Sequence, residues 1–447
     1  MQQIHMDIPA PLTTAIERLH AAGFEAFLVG GCVRDSLLGR VPNDWDVTTS
    51  ALPEQIKACF SDCRVIEIGI RHGTVGVLLE GMLFEITTYR CDGEYIDNRH
   101  PASVEFSTRI EDDLSRRDFT VNAMAYSPQT GLVDLFGGRD DLNAGLIRCV
   151  GDAAVRFGED GLRILRAIRF ASVLNFEIEQ ETARAVHACR SLLSNIAAER
   201  IREEFCKLIC GKGAVRILRE YVDVVGEFCP ELLATVGFDQ NTKYHCYDVF
   251  EHTLHALKEE TSGDLITRLA VLLHDIGKPL CYTEDEIGGH FKGHAPVGVE
   301  LTERILQRLR FDNATVERLK ILVELHDIPI PAQSRSVKRL MRRLPDEDIC
   351  RLMEVKRCDR LAHAAFFRQT EAEWEQIPRM VAALRASDAC LSLKTLHING
   401  DDLIALGVPR GARIGEILNS LLEMVLDDVL PNEKQALIKA AEHLIEK

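Results

Sequence analysis

The 447-residue chain lacks several features, and each absence narrows what it does. Its 14 cysteines include no CxxC pair and no small-domain framework, which excludes a zinc knuckle and a disulfide scaffold and leaves reduced thiols as the expected state. Cys59/Cys63 and Cys206/Cys210 stand four apart, a helical spacing expected to turn both members of each pair toward one core. No apolar run reaches the roughly 18 residues needed to cross a bilayer, so no membrane role is expected. The first residues, MQQIHMDIPAPLTTAIERL, show no basic region followed by an apolar stretch; no secretory signal is visible, and the expected location is cytoplasmic. Positive charge does not offset negative either: 53 Lys and Arg against 69 Asp and Glu give a net charge of −16, which argues against a general nucleic-acid binder. Basic residues nevertheless cluster at 156–219 and again at Arg335–Arg343, the latter read as a solvated helix face. There is no internal repeat and no low-complexity linker.

What is present is ordinary for a globular protein: 46% hydrophobic and 27% charged residues, in a chain long enough for two to four domains. Leu12, Ala15, Ile16 and Leu19 predict an amphipathic helix over 12–22, ended by Gly23. Strands are expected at 25–29, 65–68, 73–79 and 82–88, with 133–136 and 147–150 as a later pair or edge. From Arg156 onward strand signals vanish and helical periodicity takes over. The fold class is therefore α+β: an α/β head at 1–150, then helical segments at 151–235, 240–370 and 371–447.

The organising stretch is Phe27–Val47. An apolar run ends in Gly30-Gly31, Arg34-Asp35 follows, and a turn leads to Asp44-Trp45-Asp46. Glycines let backbone approach a phosphate closely. On a strand, Asp44 and Asp46 would point to one side, and two carboxylates so placed suit a hard divalent cation that also holds a triphosphate. Downstream, Arg116-Arg117-Asp118-Phe119-Thr120-Val121-Asn122-Ala123 offers an arginine fork suited to phosphate. Next comes Glu159-Asp160-Gly161-Leu162-Arg163, running on to Arg166 and Arg169. On a helix Asp160 and Arg163 would be neighbours, an acceptor beside a donor fork able to read a Watson–Crick edge. Arg169 would lie about 180° round that helix from Asp160.

Together GGxVRD…DxD, RRDFTxNA and EDxxR resemble the signature of class II nucleotidyltransferases, the family of bacterial tRNA nucleotidyltransferases (CCA-adding enzymes) and poly(A) polymerases. The resemblance implies a polymerase-β-like head that adds the 3′-terminal CCA to tRNA from CTP and ATP without a template, with Asp44 and Asp46 holding Mg²⁺. It implies that Gly31, Arg34 and Arg117 seat the triphosphate, with Asp118 and Asn122 serving the sugar and loop geometry. Asp160 and Arg163 would choose the base, with Arg166 and Arg169 as phosphate-side or supporting groups. The polar segment Thr87–Pro101 resembles the loop that lets such enzymes accept ATP after CTP. The block from Asp134 to Leu142 looks like a structural hinge, and Glu199–Phe205 like a helix bracing the neck through ion pairs. No obligate protein partner is indicated.

A second constellation follows: Glu251-His252, His274-Asp275-Ile276-Gly277-Lys278, His294, His326 and Asp359. Histidine and aspartate together suit a transition metal that activates water. The series resembles the HD phosphohydrolases, which implies His252, His274, Asp275 and Asp359 as metal ligands and His294 with His326 as ligands of a second ion. His255 competes with His252 for one helix face, and the family pattern favours His252. At 396–418 the chain is similar to the C-terminal helical domain of CCA-adding enzymes. There Arg410, Gly411, Arg413 and Gly415 fit either a backbone phosphate contact or a helix cap with close packing. Two rivals stay in view: a poly(A) polymerase or A-adding enzyme on the same head, and an HD phosphohydrolase whose head only binds RNA.

Overall fold

Leu12, Ala15, Ile16 and Leu19 are all buried on α1 (Ala10–Ala21), the stripe expected of a helix lying on a core. Gly23, at φ 86°, reverses the chain after it. β1 (Ala26–Val29) is buried at every position, as suits a strand covered on both faces. The computed structural model describes residues 6–67, 69–70, 73–93, 104–365 and 373–445. They fall into two compact units, Met1–Leu233 and Ala234–Lys447.

In the first unit β1 is followed by α2 (Gly31–Leu37), β2 (Asp46–Thr49), α3 (Pro53–Cys59), β3 (Arg64–Ile66), β4 (Thr74–Leu79) and β5 (Met82–Thr88). A short ribbon of β6 (Arg90–Asp92) and β7 (Val104–Phe106) leads to α4 (Ile110–Ser115), β8 (Met124–Ser127), β9 (Gly131–Asp134) and α5 (Gly138–Ala144). Seven strands make one sheet in the order β3-β4-β5-β2-β1-β8-β9. β1 runs antiparallel to both neighbours, and β2 runs parallel to β5 with Asp46 opposite Glu85. Of the expected loop Thr87–Pro101, residues 94–101 lie outside the described residues, and Ile68 of the expected 65–68 strand does too.

Four expectations need correction. The 147–150 segment does not pair with 133–136: β10 (Leu146–Ile147) runs parallel to β11 (Glu177–Ile178), while Val133 lies in β9 against β8. Strands also return after Arg156, in β11 and in the hairpin Thr283–Asp285/Gly288–His290. Asp44 is not on a strand, because β2 begins only at Asp46. The cysteine pairs do not share a core: Cys63 lies beyond the end of α3, and Cys210 is exposed after its helix stops at Ile209.

The rest of the first unit is built on α6 (Ala153–Glu159), α7 (Leu162–Leu174), α8 (Gln180–Cys189) and α9 (Ala198–Ile209), with α7 packed on α9. In the second unit the helices start where side chains cap them. Asp248, Asp264 and Asp312 accept from the amides of Glu251, Thr267 and Thr315, opening helices Val249–Glu259, Leu265–Leu273 and Asn313–Leu325. The last helices, Ala412–Leu426 and Lys434–Ile445, close over Leu421, Leu422, Val425 and Leu437. Among the described residues no helix is long and apolar enough to cross a membrane.

Candidate active site

β1 delivers the chain to Gly30, whose φ of 79° and ψ of −130° only glycine adopts readily. A Cβ there would stand 3.1 Å from Arg117 Nη1, so the turn and the arginine are in close approach. Asp46 opens β2, Asp44 sits in the loop before it, and Glu85 lies beside Asp46 on β5; all three are exposed. Partial desolvation raises the Asp46 carboxyl; Arg117 opposes the shift and the nearby Asp44 charge adds to it. Glu85 is raised for the same reasons, desolvation first and then Asp46 and Asp44. Three mutually repelling carboxylates around the start of β2, an interior strand, fit a divalent cation, which would relieve that repulsion. Sequence reasoning missed Glu85, whose signal was a lone acid in the otherwise apolar alternation of Met82–Thr88.

The arginines are held in place from behind. Buried Asp113 accepts from Arg116 Nε at 3.0 Å and from Arg117 Nη2 at 3.0 Å. Burial works against its charge, but the two arginines outweigh it and hold the carboxyl below the usual range. Arg117 Nε is buried with no hydrogen-bond partner. Arg34 Nη1 donates to Asn122 Oδ1 at 2.6 Å, and its Nε donates to Asp35 at 2.8 Å. Gly31 begins α2 beside it, 3.7 Å from Arg34 Nη2 at the Cβ position. Asn122 Nδ2 donates in turn to Asp118 at 3.2 Å, and Arg166 Nε donates to the other Asp118 oxygen at 2.8 Å. Arg169 lies over the Phe170 ring at 3.4 Å and donates to Glu204 at 2.6 Å. Arg166 and Arg169 thus support the site through acids of the chain itself. Glu204 of α9 braces α7 by an ion pair, as the Glu199–Phe205 segment suggested.

Asp160 and Arg163 do not share a helix face. Asp160 is extended (φ −136°, ψ 105°) between α6 and α7, while Gly161 after it is already helical (φ −58°, ψ −23°) and opens α7. They meet through the backbone, Arg163 N donating to Asp160 O at 2.9 Å. Arg163 is buried, paired with Glu159 and donating to the carbonyls of Arg156 (3.1 Å) and Arg116 (3.0 Å). Asp160 accepts from Leu162 N at 3.0 Å and faces Arg200 at 3.2 Å. Both side chains are committed to partners within the chain. The Asp134 block is structural: its carboxylate accepts from Gly138 N and Arg139 N, each at 2.8 Å, and starts α5.

The second centre assembles all six of its expected residues. His252, His274, Asp275 and Asp359 form one ligand group, and Asp275, His294 and His326 form a second, with Asp275 common to both. His252 Nε2 is 2.9 Å from Asp359 Oδ1, and His274 Nε2 is 3.1 Å from Asp275 Oδ2. His294 and His326 Nε2 lie 3.5 and 3.6 Å from Asp275 Oδ1 and 3.2 Å from each other. His274, His294 and His326 each direct Nδ1 at the carbonyl three residues earlier (2.7, 2.9 and 2.6 Å). With Nδ1 committed there, each turns Nε2 toward the centre, as metal-bound histidines do. With no ion bound, burial opposes the His274 charge, but Asp275 and Asp359 outweigh it and raise that imidazole to about 10. His274 Nε2 is buried without an aligned hydrogen bond, which fits ligands converging on an ion. Burial disfavours the charges of Asp275 and Asp359, yet both carboxyls lie well below the ordinary range: Asp275 is held there by His274 and Lys278, and Asp359 by hydrogen bonds from His252 and His274. His255 stays out, stacked on Tyr247 at 4.0 Å. A cavity of about 570 Å³ opens over the centre.

The basic run 335–343 is neutralised within its own unit: Lys338 pairs with Asp428, Arg339 with Asp427 and Arg342 with Glu423. In the tail Arg413 pairs with Glu416.

Comparison with known proteins follows the same segments. Residues 26–148 match the "Poly A polymerase head domain", 175–224 the "Probable RNA and SrmB- binding site of polymerase A" and 242–364 the "HD domain". The CCA-adding enzyme of Lactobacillus delbrueckii subsp. bulgaricus is 47% identical over 218 residues, 48% of this chain; the match spans about half of that relative, 54%. The CCA-adding enzyme of Ligilactobacillus salivarius is 32% identical over 448 residues, 97% of this chain and 96% of that protein. The crystal structure of the Bacillus stearothermophilus CCA-adding enzyme in complex with CTP superposes with a TM-score of 0.69 at 28% identity, covering 98% of each chain. With a relative of this identity matched almost end to end, the chain belongs to the family of CCA-adding enzymes.

Proposed function

We propose that this chain adds the terminal C, C and A to the 3′ end of tRNA from CTP and ATP, without a nucleic-acid template, in the cytoplasm. The observation that carries the reading is the match to a CCA-adding enzyme over 97% of the chain. Asp44 and Asp46, joined by Glu85, would hold Mg²⁺, which when bound lowers the pKa of an attacking hydroxyl and neutralises a leaving pyrophosphate. The triphosphate is seated by Gly31, Arg34 and Arg117; the unpartnered Arg117 Nε and the close Gly30 turn support this role. Asp160 and Arg163 select cytosine or adenine once a base displaces Arg200 and the partners of Arg163. Arg166 and Arg169 fix the neck helix that carries the selector. We assign the segments 1–150, 151–235, 240–370 and 371–447 as head, neck, hydrolase part and tail. RNA is recognised by shape and backbone through local basic faces. Equilibrium binding of the four nucleoside triphosphates tests the base choice: CTP and ATP bind, UTP and GTP bind at least about tenfold more weakly. Equal retention of all four would overturn it.

A second activity is favoured by the convergence of His252, His274, Asp275 and Asp359 with His294 and His326. We read it as a metal-dependent phosphohydrolase that clears cyclic or phosphorylated 3′ ends, so that a free hydroxyl is available to the head. Opening of a 2′,3′-cyclic end to the monoester by one water, and release of inorganic phosphate from that monoester by a second, both absent in His274→Ala, test this. Release undiminished in that variant refutes it.

A further inference from the structure

His245 and His363 belong to neither ligand group, yet both line the cavity that opens over Asp275 and Asp359. The His245 ring lies 4.9 Å from His252 and 4.4 Å from His363, and His363 lies 5.0 Å from His252. One backbone hydrogen bond, from Ala364 N to Tyr244 O at 2.9 Å, ties the two segments together. His363 directs Nδ1 at the Asp359 carbonyl at 2.8 Å, which anchors its ring on the helix that bears a ligand. His245 has no such anchor: its Nδ1 is buried and has no hydrogen-bond partner. An unpaired buried nitrogen is costly to keep, so its presence points to a partner that arrives with a ligand.

The cavity describes that ligand. About 570 Å³ accommodates a molecule the size of one nucleoside phosphate. Lys243, Lys278 and Lys292 line it opposite Asp275, Asp327 and Asp359, so a metal held by the ligand group tips the balance toward an anion, and Tyr244 and Phe291 add aromatic lining. Lys278 would be the obvious phosphate partner, but its Nζ is 2.7 Å from Asp275 and donates to Gln240 at 2.8 Å. His245, whose Nδ1 is buried and unpaired, is a donor left uncommitted beside the ligand group, since an imidazole carries at least one N–H in either protonation state.

We propose that His245, positioned by His363, donates a hydrogen bond to a phosphoryl oxygen of a nucleoside-sized phosphate ester bound over the Asp275–Asp359 centre. The proposal rests on the hydrolase reading of that centre. It makes His245 a substrate-binding residue, outside the metal ligands.

The test uses the full chain loaded with Mn²⁺, with metal counted per chain by mass spectrometry. Inorganic phosphate and adenosine 2′,3′-cyclic phosphate are titrated in by calorimetry. In His245→Leu the dissociation constant for both rises at least about tenfold, while metal content and CTP incorporation by the head stay at wild-type values. His245→Asn, which keeps an N–H donor, recovers most of the loss. Phosphate bound as tightly by His245→Leu as by the wild type overturns the proposal and leaves the hydrolase reading standing. Loss of metal in His245→Leu overturns it in favour of a role in supporting His252. Failure of the loaded wild-type chain to bind phosphate overturns both.

Discussion

Replacing Asp118 with alanine removes the carboxylate through which the head grips the neck helix. Asp118 is buried and accepts from Phe119 N (2.9 Å), Asn122 Nδ2 (3.2 Å) and Arg166 Nε (2.8 Å). The next acid within reach of Arg166 is Glu204, at 3.9 Å. Deleting one partner of a buried pair costs ~3–5 kcal/mol. The Arg166 side chain is 33% exposed, so water takes over part of its charge and the expected loss falls to ~2–3 kcal/mol. For a unit of this size that lowers the melting temperature by roughly 4–12 °C. Scanning calorimetry of the full chain reads the shift, and hydrogen exchange of peptides from 162–174 identifies the transition. Burial works against the Asp118 charge, but Arg166 outweighs it and holds the folded carboxyl below its ordinary value. Its stabilisation is therefore present above the unfolded carboxylate range, about pH 4, and is lost as pH falls through the lower folded value. The gap between variant and wild type narrows in acid. Asn122 also loses its anchor, so Arg34 is held less firmly and KM for CTP rises. A melting shift under 1 °C at neutral pH, or a gap that widens in acid, would refute the reasoning.

The other predictions concern single sites. Asp46→Asn lowers nucleotide incorporation by roughly 10³-fold, yet leaves the melting temperature unchanged or slightly raised, because desolvation and Asp44 already disfavour the Asp46 charge; a large loss of stability would contradict this. Gly138→Ala drives a Cβ to 2.2 Å from Thr120 O and 2.9 Å from Met124 Cγ. It should cost ~3 kcal/mol in urea unfolding, since the backbone must move, and a neutral result would refute the close approach. Arg342→Ala breaks only an exposed pair with Glu423. It should change stability by under ~1 kcal/mol and leave tRNA affinity unchanged; a clear loss of affinity would restore the 335–343 run as an RNA contact.

The parts of the site legible in the sequence are those set by local chemistry. Gly30-Gly31 and the RRDFT arginines are read from residue type, the HD ligand set from its resemblance to the HD phosphohydrolases, and the turn at Gly30 and the convergence on Asp275 agree with them. What was not legible depends on distant partners. β2 starts at Asp46 because its register with β5 begins at Glu85, 39 residues on, so Asp44 is left in the loop. β10 finds its partner 31 residues away in β11, a parallel pairing that period-two alternation cannot reveal. The Asp160–Arg163 geometry failed because the chain turns extended at Asp160 between α6 and α7, while Gly161 is itself helical and lies where a Cβ would stand 3.1 Å from Leu192 O, a tertiary approach. Asp113 was hidden because its burial comes from tertiary packing, although its i,i+3 and i,i+4 spacing to Arg116 and Arg117 was plain. The basic 335–343 helix does present Arg335, Arg339, Arg342 and Arg343 to solvent, as expected, while Lys338 is buried and paired with Asp428 of the tail.

The central claim is the product. The full chain, Mg²⁺ and a tRNA transcript lacking CCA are incubated with CTP, ATP or both, and the 3′ ends are sequenced. The account predicts two C residues with CTP alone and a single terminal A only when both nucleotides are present. A long A tail, A added directly to the truncated end, or no extension at all would contradict it.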